Sequence, residues 1–467
     1  MKLFERYIDL SPQKNVDVSH WGCAINDRGH LEIDGCDVVS IVKEFKTPVH
    51  VVSKTKLIDN CRRLTVALRD TIEYSQIFYS YKTNCVVGVL ELVHQQGFGA
   101  EVISPYELWL AFRLGVPGEN IIFNGPDKTT KSLEAAVRNN VKLVNVDSLD
   151  DLMKLLEVSK KIDVTANVGV RLCPTKGWNA QFGLDMRNGE ALEGFRLLGA
   201  NSHLATVKGV HFHVGSQIGD VKPFMETIKH VVTFLRTLKE AFGIDIEYLD
   251  VGGGFGVPTI RHVSAIERRA CDLLGIPLRA PIPRHYASEK DYGKAIGDTV
   301  NYYINKYSLK QPQILFEPGR LITSSAQMLL LSVKAMKRRS PPTAVVDGGR
   351  MNIAFPTAFE YHEAFVANKM RIEPEVVYRV VGRTCTPSDV IYSFKKLPRM
   401  DVGDIISIMD SGAYFTTFSN TFAFPRPSIL LADKGDITVL RERETFSDLV
   451  SKDHISHSKE TNRCITG

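Results

Sequence analysis

The sequence predicts a parallel (β/α)8 barrel followed by a second, β-rich domain. Three observations predict it: eight short β-rich runs between Ile77 and Glu317, amphipathic helical stretches between most of them, and a change of pattern after about residue 330. In order, the runs are IFYSYK (77–82), FGAEVI (98–103), NIIF (120–123), VKLVNV (141–146), TANVGVRL (165–172), KGVHFHV (208–214), IEYLDV (246–251) and QILFE (313–317). Parallel strands are covered on both faces, so they read as continuous apolar runs and not as alternating ones. Between the second and third runs, Leu108, Leu110, Ala111 and Leu114 fall on one face of a helix over Pro105 to Leu114. A doubly wound open sheet is the alternative reading of the same pattern.

Beyond residue 330 come TAVVDGG (343–349), VVYRVVG (376–382), DIISIMD (404–410) and ITVLRER (437–443), separated by turn signals, which predict a β-sandwich or β-barrel. Residues 16–42 are also rich in strand and turn signals. The expected organisation is therefore an N-terminal arm over 1–44 that joins the β domain, a barrel over 45–325 and the β domain over 326–467.

At 467 residues the chain can bury a large core and a smaller one. Hydrophobic residues at 44% and charged residues at 24% are globular values, and no apolar run approaches the roughly 20 residues that span a bilayer. The N-terminus lacks a continuous apolar stretch, so a cytoplasmic location is expected. Eight cysteines stand singly without metal-ligand spacing, which predicts free thiols and no metal. The net charge of +5 is dispersed, and no interleaving of aromatic and basic residues marks a nucleic-acid surface.

In a barrel of this type chemistry gathers where strands end. Those positions are polar here: Lys82, then His213 and Ser216, then Gly252-Gly253-Gly254, then Glu317, Gly319 and Arg320. A desolvated lysine amine can form a Schiff base with an aldehyde. Clustered glycines let backbone N–H groups approach an anion, and the arginine of EPGR adds a fixed fork for phosphate. A lysine for an aldehyde together with glycines and an arginine for a phosphate suits pyridoxal 5′-phosphate. Glu317 then has a use, because a carboxylate beside the pyridine nitrogen keeps it protonated and lets the ring accept electrons. His213 is placed to stack on the ring face.

FYSYKTN, GVHFHVGSQ, DVGGGFG, EPGR, CTPSD (385–389) and SGAY (411–414) occur in one order from about Thr47 to Asp448. Together they resemble the fold-type III pyridoxal-phosphate decarboxylases, the family of diaminopimelate, ornithine and arginine decarboxylases with alanine-racemase-like architecture. The resemblance implies that Lys82 carries the cofactor, that His213 stacks on it, and that Ser216, Gly252, Gly253, Gly254, Gly319, Arg320 and Tyr414 hold it, mostly through its phosphate. Glu317 would pair with the ring nitrogen, with Glu101 and Arg171 nearby. It further implies a homodimer in which Cys385 and Asp389 reach into the partner's site, with Cys385 as the acid that protonates the α carbon.

Two departures bear on the substrate. Thr386 stands where the diamino-acid decarboxylases of this family carry an acid, and Phe355 and Phe359 stand in FPTAF where the diaminopimelate enzymes have an RPALY-like segment. CTPSD and the following SGAY stretch look closer to a secondary-metabolism branch that includes decarboxylases of carrier-linked glutamyl groups. The expected substrate is thus a modified or conjugated amino acid, free or held on a carrier, with diaminopimelate or a basic amino acid such as ornithine or lysine as the alternative. An amino-acid racemase and a non-catalytic regulatory homologue are the remaining readings, disfavoured by Glu317 and by the intact Lys82 and Cys385. The Val257–His285 connection holds five arginines against Glu267 and Asp272, which fits a solvated helix or a dock for an acidic partner.

Overall fold

All eight strand runs form, and they close into a parallel barrel: Ser75–Ser80, Gly99–Val102, Ile121–Phe123, Leu143–Val146, Ala166–Cys173, Ala205–His211, Tyr248–Asp250 and Gln313–Phe316. Each pairs with the next in parallel, and the last returns to the first through Leu315↔Gln76. This computed structural model describes residues 16–174, 181–353 and 359–454. The described residues fall into two units, one within Leu57–Pro258 and Ile282–Ser324, the other within Met1–Lys56, Thr259–Pro281 and Ser325–Gly467.

In the barrel unit, Phe78, Ile122, Leu143 and Leu315 make one buried cluster. The helices between strands start where the sequence satisfies their free N–H groups. Ser104, Thr129, Ser148 and Ser288 each accept a hydrogen bond from the third residue of the following helix. The helix Pro105–Arg113 buries Leu108, Leu110 and Ala111, and Lys222–Phe242 buries Phe224, Ile228, Val231, Val232, Leu235 and Leu238 along one stripe.

The second unit is built on the long strand Gln327–Lys337. Its residues alternate between two cores. Met328 and Leu330 pack with Trp21, Val49, Val51 and Leu430, while Leu329, Leu331 and Val333 pack with Val346, Val380, Ile406 and Ile408. A period of two with both faces apolar is what a central strand between two layers requires. Around it the mixed sheet takes in Thr343–Val346, Val376–Val381, Val390–Leu397, Ile405–Ile408, Ser428–Asp433 and Asp436–Arg441. A three-stranded antiparallel sheet over Cys23–Ile25, Leu31–Ile33 and Cys36–Asp37 precedes a short helix, Val38–Phe45, in the same unit.

Two segments assigned by sequence to the barrel lie elsewhere. Val49–Ser53 is antiparallel to Gln327–Leu330 and parallel to Ser428–Ala432, so it is a strand of the β unit. Its sequence, VHVVS, is buried at every position and reads like any barrel strand. Thr259–Pro281 also joins the β unit, where Arg261–His262 pairs with Glu360–Tyr361 and a helix spans Ala265–Leu274. Arg261 of that segment is taken up by a bidentate pair with Glu267 at 2.8 Å, and Arg269 is exposed. Among the described residues no helix is long and apolar enough to cross a membrane.

Candidate active site

Lys82 lies just past the first barrel strand, on a 3-10 turn over Tyr81–Thr83 and not on the strand itself. Its side chain is 35% exposed, so it is accessible and not fully desolvated. The amine reaches Glu101 Oε2 at 2.9 Å from the second strand, and Ser80 Oγ donates to the same oxygen at 2.5 Å. Glu101 is itself 0% exposed, and these donors meet its carboxylate inside the barrel.

A polar chain continues from there. Asn124 Nδ2 donates to Glu101 Oε1 at 2.9 Å and to Glu317 Oε1 at 2.6 Å, and its own carbonyl accepts from Asn145 at 2.7 Å. Gly169, beside Asn145 in the neighbouring strand, makes room for this layer, since a Cβ there would stand 1.8 Å from Asn145 Oδ1. On the other side of Glu317, His211 Nε2 lies 3.5 Å from Oε2. Burial by itself raises the Glu317 carboxyl, but His211, Lys82 and a hydrogen bond with Asp250 together hold it well below the usual range. Glu317 is therefore a fixed negative charge in a dry place.

The glycine run follows the seventh strand. Gly252 and Gly254 have φ of 67° and 88°, which L side chains rarely adopt. A Cβ at Gly253 would fall 2.1 Å from the Glu317 carbonyl oxygen, and one at Gly254 would fall 2.0 Å from that of Gly215. Only bare backbone fits, which leaves a cradle free of side chains. Gly319 is equally constrained, with Thr83 Oγ1 at 2.0 Å from a built Cβ, and Arg320 is buried at the start of the short helix Arg320–Thr323 that follows it.

His213 accepts from Gly253 N–H through Nδ1 at 3.4 Å. Burial first, and then Lys82, push its pKa down to about 3, so the ring is neutral at ordinary pH and offers an uncharged flat face. Arg171 ends 3.5 Å from Asp147 and lies over Phe182 at 4.5 Å. Ser216 is exposed beyond the sixth strand. Lys82, Glu101, Glu317, His213, the glycine run and Gly319 are thus brought together at one end of the barrel.

A phosphorylated aldehyde with a basic ring nitrogen fits these residues. An accessible amine suits the aldehyde, a side-chain-free cradle beside a buried arginine suits the phosphate, and an ionised buried carboxylate suits a ring nitrogen. Asn124, Asn145, His211 and Asp250 complete the site and were not singled out from sequence. Their one sequence signal is a polar residue ending or interrupting an apolar run.

The remaining sequence-predicted residues lie in the β unit or outside the described residues. Cys385 is an exposed free thiol in the turn before Val390–Leu397. Thr386 Oγ1 contacts Ser388 Oγ at 3.0 Å. Asp389 is buried, and its carboxylate accepts from Thr384 N–H and Oγ1 and from Arg350 N–H at 2.6–3.0 Å, which shapes the turn. Tyr414 has φ of 69° and packs against Phe418 at 5.9 Å. Phe359 is 42% exposed. Phe355 lies outside the described residues.

A family model described as pyridoxal-dependent decarboxylase, pyridoxal binding domain, matches residues 56–324. The diaminopimelate decarboxylase of Methanocaldococcus jannaschii is 31% identical over 443 residues, covering 91% of this chain and 95% of the relative. The crystal structure of that enzyme in co-complex with L-lysine has a TM-score of 0.82 at 30% identity, over 93% of this chain and 98% of the other. The L-glutamyl-[BtrI acyl-carrier protein] decarboxylase of Niallia circulans is 27% identical over 446 residues, covering 90% and 97% of the two chains.

Proposed function

The chain belongs to the family of pyridoxal-dependent decarboxylases, and on that basis we propose that it removes one α-carboxylate from diaminopimelate or a related basic amino acid. It is a lyase that uses pyridoxal 5′-phosphate. The observation that carries the substrate reading is the 31% identity to a diaminopimelate decarboxylase along 91% of the chain, through both units and not only the barrel.

When bound, the cofactor supplies a protonated ring that takes up the electron pair left at the α carbon as carbon dioxide departs. The chain's residues hold and orient. Lys82 is the attachment point, steadied by Glu101. Glu317 keeps a negative charge on the deep side of the site, fixed by Asn124 and His211. Gly252 to Gly254 and Arg320 bind the phosphate, and the neutral His213 ring covers one face.

Cys385 Sγ carries the proton delivered to the α carbon, from a second copy of the chain. Cys385→Ala is then expected to bind cofactor as the wild type does while turnover falls about a hundredfold, the usual loss when a placed acid is removed. Unchanged kinetics and products would take Cys385 out of the reaction. Sharing of the site between copies adds a second readout: mixing Lys82→Ala and Cys385→Ala proteins should restore about a quarter of wild-type activity through mixed dimers with one intact site. No recovery would place both residues in one chain's site.

A second reading is favoured by a specific feature. Phe355, Phe359 and Thr386 offer no charge to a distal ammonium or carboxylate, and an unpaired buried charge costs several kcal/mol. That feature suits a modified or conjugated amino acid. Carbon dioxide release should be compared for diaminopimelate, lysine, ornithine and glutamyl conjugates, free and carrier-linked. The first reading expects the highest kcat/KM for diaminopimelate. A preference of about a hundredfold or more for a conjugate, worth about 2.7 kcal/mol in transition-state binding, transfers the assignment to the second.

A further inference from the structure

The glycine cradle and Glu317 meet at one residue, Asp250, the last of the seventh barrel strand and fully buried. We propose that Asp250 is a positioning residue that stands neutral and donates its Oδ2 proton to Glu317, so that the pair holds one negative charge and that charge stays on Glu317. The inference rests on Glu317 being the carboxylate that meets the cofactor ring, and it does not depend on which amino acid is the substrate.

Asp250 is placed for this by strand register. Its neighbours across the sheet are His211 on one side and Leu315 on the other, and Glu317 stands two residues beyond Leu315, on the same face of the extended chain. One oxygen of each carboxylate and one imidazole nitrogen therefore lie within 4.8 Å of one another, all buried. Asp250 Oδ1 accepts the Gly252 N–H at 2.9 Å, which fixes the first residue of the cradle. Among the described residues its Oδ2 is buried with no hydrogen-bond partner. A protonated Oδ2 would have an acceptor at hand in Glu317.

The alternative, two ionised carboxylates side by side in a dry pocket, is strongly disfavoured, because like charges at this range repel in a low-dielectric site. Glu317 already receives Asn124 at 2.6 Å and faces His211 at 3.5 Å, whereas among the described residues Asp250 accepts from the backbone N–H of Gly252 alone. The proton therefore belongs on Asp250. In agreement, burial and then the charge of Glu317 push the Asp250 carboxyl well above its ordinary range, while Glu317 is held down.

Asp250→Asn keeps an acceptor for Gly252 and an N–H donor for Glu317, so it mimics the neutral acid. Asp250→Ala keeps neither. Titrating each purified protein with pyridoxal 5′-phosphate and following the visible absorption of the bound cofactor is expected to give a Kd within about threefold of wild type for Asp250→Asn. For Asp250→Ala the expected Kd is roughly tenfold to a hundredfold weaker, with a displaced absorption band, as loss of hydrogen bonds to a charged group predicts. Infrared spectra of the folded proteins supply a readout that a merely structural cap would not move: wild type shows a neutral-carboxyl C=O stretch that Asp250→Asn lacks. If Asp250→Ala does not fold, the infrared comparison and the Asn variant decide. Asp250→Asn binding as poorly as a cavity variant, Asp250→Ala binding normally, or no neutral-carboxyl difference between wild type and Asp250→Asn would each overturn the proposal.

Discussion

Lys82→Ala is expected to lower kcat by three orders of magnitude or more, roughly the loss seen when a covalent catalytic group is removed. The amine touches Glu101 directly, at 2.9 Å, and it stands accessible just past the first barrel strand. Lys82→Arg separates its two functions. The arginine keeps a positive charge beside Glu101 but cannot attach the aldehyde, so its activity should fall as far as that of the alanine variant. Steady-state release of carbon dioxide by both variants checks this. Substantial activity in Lys82→Arg would reduce Lys82 to an electrostatic partner.

The second large effect is at Glu317. Glu317→Gln keeps the shape and an acceptor for Asn124 but removes the buried charge, so turnover should fall by about two to three orders of magnitude, the scale for losing one fixed electrostatic partner in a dry site. The cofactor's visible band should shift at the same time, because the charge that keeps its ring nitrogen protonated is gone. Wild-type turnover in Glu317→Gln would show that the ring does not need that charge. Both variants are best compared at saturating cofactor, so that weaker binding is not mistaken for slower chemistry.

The barrel was legible because burial on both faces makes a parallel strand apolar throughout, and each of the eight runs became a strand. The same property hid which sheet Val49–Ser53 joins, since a strand buried at every residue carries no mark of its partner. The first strand ends at Ser80 and a 3-10 turn carries Lys82, yet its amine still reaches the Glu101 oxygen to which Ser80 Oγ donates.

The residues that name the cofactor were readable one by one, since Lys82, the glycine run and EPGR each have a chemistry of their own. The layer that tunes them was not. Asn124, Asn145, His211 and Asp250 sit in or beside apolar runs, where a polar residue looks like a strand end. The closed barrel turns those positions toward one another, and the missing Cβ of Gly169 leaves space for Asn145. Asp389 illustrates the converse. Its carboxylate reads as a candidate ligand, yet it accepts hydrogen bonds from Thr384 in its own turn and from the backbone N–H of Arg350.

The central claim is that Lys82 bears the cofactor covalently. Borohydride reduction of the purified, cofactor-loaded protein, followed by digestion and mass analysis, tests it most directly. The expected result is a single pyridoxyl-modified peptide with the label on Lys82; a label on another lysine, or none after reduction, would contradict it.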